Sequence, residues 1–211
     1  LAFLLPVLEK IKPQGAVVQA LVVAPTRELA IQIARVAEPL AALLGIGTVL
    51  VYGGADIERQ KEKLRRHPQL VIGTPGRLLD HVRRGTLSLG SVNKVVLDEA
   101  DEMLKLGFIE DVETLLGHTA QDYQLALFSA TMPERIVQLT KRFMHNPARI
   151  KIEGEHTTLE NIEQIAARGS AGSSLDFVDE LSYDTLDVAL GLSVDLIDVC
   201  HAAEHGIPLI T

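Results

Sequence analysis

The 211-residue sequence is poor in cysteine and aromatic residues, with one cysteine, no tryptophan and 4% Phe, Tyr and Trp. Cys200 has no partner for a disulfide within the chain, so a disulfide-stabilised secreted fold is excluded and a reducing cytoplasm is the expected location. The longest apolar stretch covers residues 1–8, whereas crossing a bilayer takes roughly 20 residues. We therefore expect no membrane partner. Because Leu1 is not an initiator methionine, we expect a piece of a longer protein.

Positive charge is missing from one end of the chain. Residues 169–211 carry eight acidic residues and no lysine or arginine, which accounts for the whole net charge of −8. Residues 1–168 are thus neutral, and the negative total does not exclude a nucleic-acid partner. Small polar residues at the junction are typical of a flexible linker. The sequence predicts a body at residues 1–166, a linker at 167–174 and an acidic tail at 175–211.

Apolar, β-branched runs alternate with helical patterns along the body. Strands are predicted at residues 20–24, 49–52, 70–72, 95–97, 125–128 and 150–152, and helices at 27–44, 57–66, 77–84, 109–116 and 134–144. This alternation is typical of an α/β fold, a parallel sheet with helices on both faces. Ligands of such sheets bind beyond the carboxyl ends of the strands.

Five predicted strands end in polar or glycine-rich turns. In chain order these are Pro25-Thr26-Arg27-Glu28, Gly53-Gly54, Thr74-Pro75-Gly76-Arg77, Asp98-Glu99-Ala100-Asp101 and Ser129-Ala130-Thr131. One such turn is ordinary, because these residues cap helices and form tight bends. Five turns opening on one sheet edge indicate a shared binding site.

The acidic turn suits magnesium and water. A carboxylate at a strand end can hold Mg²⁺ through its water shell, and a neighbouring acid can orient or deprotonate the water that attacks a γ-phosphate. In the alternative interpretation, Asp98 caps the next helix and Asp101 pairs with a lysine. Ser129 and Thr131 likewise have an alternative role as caps of the helix that Pro133 begins.

The other turns offer donors for phosphate. Thr26, Thr74 and the glycine amides are neutral donors, and Arg27 and Arg77 are charged ones. Donors at helix starts on one sheet edge can follow a sugar-phosphate backbone without reading bases. The alternatives are an ion pair of Arg27 with Glu28 or Glu99, and one of Arg77 with Asp80.

In order and spacing, the four motifs resemble those of the DEAD-box RNA helicases. They are Pro-Thr-Arg-Glu-Leu-Ala at residues 25–30, Thr-Pro-Gly-Arg at 74–77, Asp-Glu-Ala-Asp at 98–101 and Ser-Ala-Thr at 129–131. The resemblance extends over about residues 1–163. It implies the first of two RecA-like domains of an ATP-dependent RNA helicase, which hydrolyses ATP when RNA is bound and separates short duplexes locally.

The resemblance also implies residue roles. Asp98 and Glu99 serve Mg²⁺, held through water at Asp98, and the attacking water, while Asp101, Ser129 and Thr131 couple the nucleotide to unwinding. Backbone contacts to RNA of any sequence fall to a larger group of turn residues. That group is Pro25, Thr26, Arg27, Glu28, Gly53, Gly54, Thr74, Pro75, Gly76 and Arg77.

Several parts that the resemblance calls for are not in the sequence. There is no Gly-Lys pair for a P-loop, no glutamine motif before it, and no second helicase domain after Glu163. Without the phosphate cradle, these 211 residues are expected to bind ATP weakly and to hydrolyse it negligibly. The alternative function is a non-catalytic RNA-binding or protein-assembly module derived from a helicase domain.

The acidic tail fits neither helicase domain. Its apolar residues and a mainly helical pattern, with Ser193 as a cap and Gly206 and Pro208 at the end, indicate a folded segment. Three interpretations stay open: it packs on the body, it binds a partner or a second copy of the chain, or it is foreign sequence. A permuted domain order and a metal site at His201 and His205 are less favoured, and Cys200 is interpreted as a small buried residue.

Overall fold

The computed structural model describes residues 2–151 and the backbone of residues 209–210. Its strands are β1 Ala20–Val23, β2 Thr48–Val51, β3 Leu70–Gly73, β4 Lys94–Leu97, β5 Gln124–Leu127, β6 Ala148–Arg149 and β7 Leu209–Ile210. Its helices are α1 Leu4–Glu9, α2 Arg27–Leu43, α3 Ile57–Leu64, α4 Pro75–Arg83, α5 Ala100–Lys105, α6 Ile109–Leu116 and α7 Glu134–Phe143. No helix in this described part is long and apolar enough to span a membrane.

All seven strands are parallel and form one sheet in the order β2-β3-β1-β4-β5-β7-β6. The central strands β1 and β3 are buried at every position, which explains their unbroken runs of apolar residues. The sheet is therefore covered on both faces.

Two apolar cores cover the two faces of the sheet. On one face, α1 and α2 bury Leu8 and Ile33 against strand residues such as Ile72. On the other face, α4, α5, α6 and α7 bury a second cluster that includes Leu78 and Met103. Because neighbouring residues of a strand point to opposite faces, both cores draw on the same strands. This packing confirms the predicted α/β class.

Most predicted elements are present, with shifts at their ends. The helix predicted from residue 77 begins at Pro75, since proline is favoured in the first turn of a helix. The strand predicted at residues 150–152 is wrong at residues 150 and 151, and residue 152 lies outside the described residues. The observed strand is β6, Ala148–Arg149, which pairs with the two residues of β7. The predicted linker, and the tail as far as residue 208 with Cys200, His201 and His205, lie outside the described residues.

Candidate functional site

The turns that follow the first five strands all lie at one edge of the sheet, because the strands are parallel and paired in register. We call this edge the carboxyl rim. It consists of residues 24–27 after β1, 52–56 after β2, 74–77 after β3, 98–101 after β4 and 128–131 after β5.

The sheet order divides the rim into two halves. The turns after β2, β3 and β1 are neighbours, and they contain the glycines, threonines and arginines. The turns after β4 and β5 are also neighbours, and they contain the acids and the hydroxyls. The two kinds of chemistry thus lie side by side at the β1–β4 boundary.

Three turns of the first half touch one another through two arginines. Arg27, at the start of α2, places its guanidinium against Gly54, whose φ is +86° and where an added Cβ would lie 2.6 Å from Arg27 Nη1. Arg77, in α4, donates from Nη1 to the Ala55 carbonyl over 2.9 Å. Only glycine combines this positive φ with so close an approach. The turn at residues 52–56, the glycine turn, is therefore held by both arginines.

The threonines and prolines of this half shape the turns. Thr26 caps α2, and its hydroxyl accepts from the Leu29 amide over 3.2 Å. Thr74 is the first residue before α4 and is buried, as are Pro25 and Pro75, so the two prolines support the turns from within. Arg27, Glu28, Gly54 and Gly76 are exposed, and Gly53 and Arg77 are half-buried.

Asp98 and Glu99 follow β4 directly and present two adjacent carboxylates. Asp98 is half-buried, and burial raises the pKa of its carboxyl. Glu99 is exposed and has a left-handed backbone with φ 53° and ψ 55°, which is uncommon outside glycine. Partial burial and the nearby charge of Asp98 raise the pKa of Glu99. Backbone strain and perturbed carboxyl pKa values together are typical of functional sites.

Asp101 joins the turns after β4 and β5. Thr131 donates its hydroxyl to Asp101 Oδ2 over 2.8 Å, the Asp101 amide donates to Ser129 Oγ over 3.1 Å, and Ser129 donates to the Thr131 carbonyl over 2.7 Å. Asp101 is 7% exposed. Burial alone would raise the pKa of Asp101, but hydrogen bonding, chiefly from the Thr131 hydroxyl, outweighs burial and lowers this pKa. Asp101 is thus an ionised acceptor within a closed network.

Known proteins with related sequences and structures identify this arrangement. The sequence profile described as "DEAD/DEAH box helicase" matches residues 1–139. The chain belongs to this helicase family. Among curated relatives, the DEAD-box ATP-dependent RNA helicase CshA of Geobacillus kaustophilus is 50% identical over 163 residues, which is 77% of this chain and 35% of CshA. The ATP-dependent RNA helicase DeaD of Escherichia coli is 49% identical over 164 residues, 77% of this chain and 26% of DeaD.

Two solved structures show the same fold. A DEAD box protein from Methanococcus jannaschii superposes with a TM-score of 0.64 at 44% identity, over 67% of this chain and 39% of that one. A hypothetical ATP-dependent RNA helicase from Sulfolobus tokodaii gives 0.62 at 37% identity, over 68% and 41% of the two chains. The described fold is therefore the RecA-like domain of this helicase family. The chain spans about a third or less of the length of the curated relatives named above.

The contacts in the structure differ from the alternative interpretations of the motif residues as helix caps and ion-pair partners. Glu99, not Asp98, is the residue before α5, and neither side chain caps that helix. Pro133 precedes α7, so Ser129 and Thr131 do not cap it. Within residues 2–151, Arg27 forms no ion pair with an acid, and Asp80 pairs with Arg84 over 2.7 Å instead of with Arg77.

Sequence reasoning missed two buried polar residues beside the helicase motifs, Gln60 in α3 and His81 in α4. Their side chains form a hydrogen bond that leads to the glycine turn. The available signal was position: Leu64, four residues after Gln60, and Leu78, three residues before His81, are core residues on the same helix faces. A polar residue on an apolar face indicates a specific partner.

Proposed function

We propose that this chain provides the first RecA-like domain of an ATP-dependent RNA helicase, with one part of the RNA site and one part of the ATP site. The observation that carries the proposal is the division of the carboxyl rim. Arginines, threonines and glycines follow β2, β3 and β1, and the acids and hydroxyls follow the adjacent β4 and β5. Such an arrangement allows nucleotide state to act on RNA over a short distance.

The donors of the first half suit a sugar-phosphate backbone. The proposed contacts are the amides of Gly53, Gly54 and Gly76, the hydroxyls of Thr26 and Thr74, and the guanidinium groups of Arg27 and Arg77, supported by Pro25, Glu28 and Pro75. Arg77 uses one nitrogen for the Ala55 carbonyl and keeps further N–H groups for a ligand. These donors suit the phosphates that are common to all nucleotides, so we propose binding without sequence preference.

The acids of the second half fit Mg²⁺ bound together with a nucleotide. Asp98 and Glu99 are adjacent carboxyls with raised pKa values, so a nearby cation would favour their charged forms. In the described part of the chain no three side chains form a metal cage. This agrees with Mg²⁺, which keeps most of its waters and uses one or two carboxylates plus phosphates. When bound, Mg²⁺ supplies positive charge next to the phosphates.

The chain's own groups then have distinct tasks. We propose that Asp98 orients the water shell of the cation and that Glu99, the more exposed acid, orients the attacking water and takes its proton. Asp101 holds Thr131 by accepting its hydroxyl hydrogen, and Ser129 joins both. A movement of Asp101 would thereby be passed to the turn after β5.

The other partners are proposals that concern regions outside the described residues. A second helicase domain completes the ATP and RNA sites, and the acidic tail is available to a second copy of the chain. A non-catalytic RNA-binding or assembly module is the alternative candidate function. The cytoplasm stays the predicted location.

The test is RNA binding by the arginine variants. Arg27→Ala with Arg77→Ala is expected to weaken binding of a short single-stranded RNA and to reduce the slope of log K against log salt concentration by about 1.4, which is about 0.7 for each phosphate contact on a single strand. Arg83→Ala is the matched control, because Arg83 is exposed at the opposite end of α4. Unchanged affinity and slope in the double variant, measured by fluorescence anisotropy, would remove the RNA assignment.

A further inference from the structure

Two buried polar side chains connect α4 and α3 to the glycine turn. His81 is 0% exposed and Gln60 is 5% exposed. His81 Nε2 lies 3.2 Å from Gln60 Oε1, and Gln60 Nε2 donates to the Tyr52 carbonyl over 3.0 Å. On the far side of the ring, His81 Nδ1 lies 2.8 Å from the Thr86 hydroxyl. The chain of hydrogen bonds ends on the residue directly before Gly53.

The directions of these hydrogen bonds follow from one another. Gln60 Nε2 donates to the Tyr52 carbonyl, so the oxygen of the same amide, Oε1, faces His81 and accepts, and His81 Nε2 carries the hydrogen. Burial lowers the pKa of His81, and the charge of Arg77 lowers it further, which keeps the ring neutral at pH 7. Nδ1 is then an acceptor, and the single hydrogen of the Thr86 hydroxyl lies between Nδ1 at 2.8 Å and the His81 carbonyl at 3.0 Å. The contacts of Gln60 thus fix the tautomer of His81 with its hydrogen on Nε2.

The glycine turn needs this support because of its place in the sheet. β2 is an edge strand, so the turn after it has a neighbouring strand on one side only. Gln60 fastens its first residue, Arg27 packs on Gly54, and Arg77 fastens Ala55. At the end of the turn, Asp56 caps α3 by accepting from the Glu58 amide over 2.8 Å. Of these four residues, only Gln60 holds the turn from a buried position outside the carboxyl rim.

A merely space-filling role does not account for Gln60. An apolar side chain of the same shape would fill this position without desolvating an amide. A fully satisfied buried network instead specifies one geometry. The geometry specified here is that of the Tyr52 carbonyl, and with it the direction of the Gly53 amide, which shares the same peptide plane.

We propose that Gln60, oriented by His81, is a positioning residue for RNA binding that holds the glycine turn where its amides and Arg27 meet the phosphate backbone. The inference rests on the proposed RNA function. Neither side chain contacts RNA in this proposal; both act through the turn.

The first experiment compares two glutamines. Gln60→Met is expected to weaken binding of a short oligouridine about fivefold, the loss that one net hydrogen bond produces. Gln69→Met is the matched control: Gln69 is 8% exposed and holds the Gly47 amide and the His67 carbonyl, but it lies at the start of β3, on the opposite sheet edge. It is expected to destabilise the fold and to leave RNA affinity within about twofold.

Amide hydrogen exchange and a double variant separate positioning from stability. Exchange at Gly53 and Gly54 is expected to become faster in Gln60→Met and to stay unchanged in Gln69→Met. In Gln60→Met with His81→Leu, both partners are apolar, so stability recovers relative to the single variant while RNA affinity stays low. This double variant also keeps the test decisive if Gln60→Met alone folds poorly.

The outcomes distinguish the two levels of the proposal. Equal RNA affinity in the parent chain and Gln60→Met, with Arg27→Ala weakening binding, would overturn the positioning role and leave the RNA assignment intact. If Gln60→Met and Gln69→Met weaken RNA binding equally, Gln60 affects RNA binding only through the stability of the fold. If Arg27→Ala and Arg77→Ala also bind like the parent chain, the RNA function itself fails.

Discussion

Asp98 and Glu99 are neighbours in the chain, yet the backbone gives them different environments. The left-handed turn at Glu99 exposes its carboxyl, whereas Asp98 is half-buried at the end of β4. Burial disfavours the charged form, so folding costs free energy whenever Asp98 is ionised. At the residue scale, the ionised form of Asp98 lowers the stability of the fold, as expected for a residue kept for a function such as the proposed cation binding.

Asp98→Asn is expected to stabilise the chain at pH 7 by about 0.5–2 kcal/mol, the usual gain when a destabilised functional residue is relaxed. The folded-state pKa of Asp98 is raised, so its contribution to stability is favourable below the ordinary value of 3.8 and is lost as pH rises through the folded pKa. The gain from Asn should therefore grow from about pH 4 upwards. Urea unfolding across this range measures it.

Asp80→Asn is the control with the opposite sign. The hydrogen bond from Arg84 lowers the pKa of Asp80, so removing this carboxylate should reduce stability at neutral pH. An Asp98→Asn variant less stable than the parent chain at pH 7 would show that a positive group faces Asp98.

At the scale of elements, one residue at the start of a helix can both cap the helix and face the proposed RNA backbone. The Thr26 hydroxyl caps α2 by accepting a hydrogen bond from the Leu29 amide, and its own hydrogen stays available for donation. The same side chain thus stabilises a 17-residue helix and faces the proposed RNA backbone. The two roles differ in hydrogen-bond direction, which makes them separable by substitution.

Thr26→Asp is expected to keep the cap and lose RNA binding. Aspartate is as good a cap as threonine, so unfolding free energy should change by less than about 0.5 kcal/mol, whereas Thr26→Ala should lose about 1 kcal/mol. RNA affinity should fall at least about fivefold in Thr26→Asp, because a donor is replaced by a negative charge. Thermal unfolding and anisotropy are measured on the same samples, with Thr26→Ser as the variant that keeps both properties. Parent-like RNA affinity in Thr26→Asp would exclude Thr26 from the RNA site.

At the scale of the whole molecule, ATP hydrolysis needs groups that hold the phosphates as well as groups that orient water. The carboxyl rim supplies acids, hydroxyls and the donors proposed to face RNA, but the 211 residues contain no Gly-Lys pair to hold the β- and γ-phosphates. Acids that orient water have little effect on a phosphate that is not held in place.

The 211-residue chain is expected to release phosphate from ATP at the rate of the buffer blank, with and without RNA. A colorimetric phosphate assay measures this. Glu99→Gln is the control, because activity that survives this substitution belongs to a contaminant. RNA-stimulated hydrolysis that Glu99→Gln abolishes would show that this chain holds the phosphates by other groups.

The helicase motifs are readable from the sequence, whereas their contacts are not. Each turn is a local string, so Thr-Pro-Gly-Arg and Asp-Glu-Ala-Asp are recognisable from four consecutive residues each. The hydrogen bond between Thr131 and Asp101 joins residues 30 apart, and that between His81 and Gln60 joins residues 21 apart. No local pattern encodes such pairs, because they form only when separate elements pack together.

The sequence by itself determined the α/β class, the five strands that end in polar or glycine-rich turns and the helicase family, because buried parallel strands need continuous apolar runs and turn chemistry is local. Tertiary structure alone decided the order β2-β3-β1-β4-β5, which divides the rim into donor and acid halves. A crossover can place the next strand on either side of its predecessor. The tertiary structure also decided that β6 pairs at Ala148–Arg149 and that two buried polar residues support the glycine turn, because both features depend on partners distant in the chain.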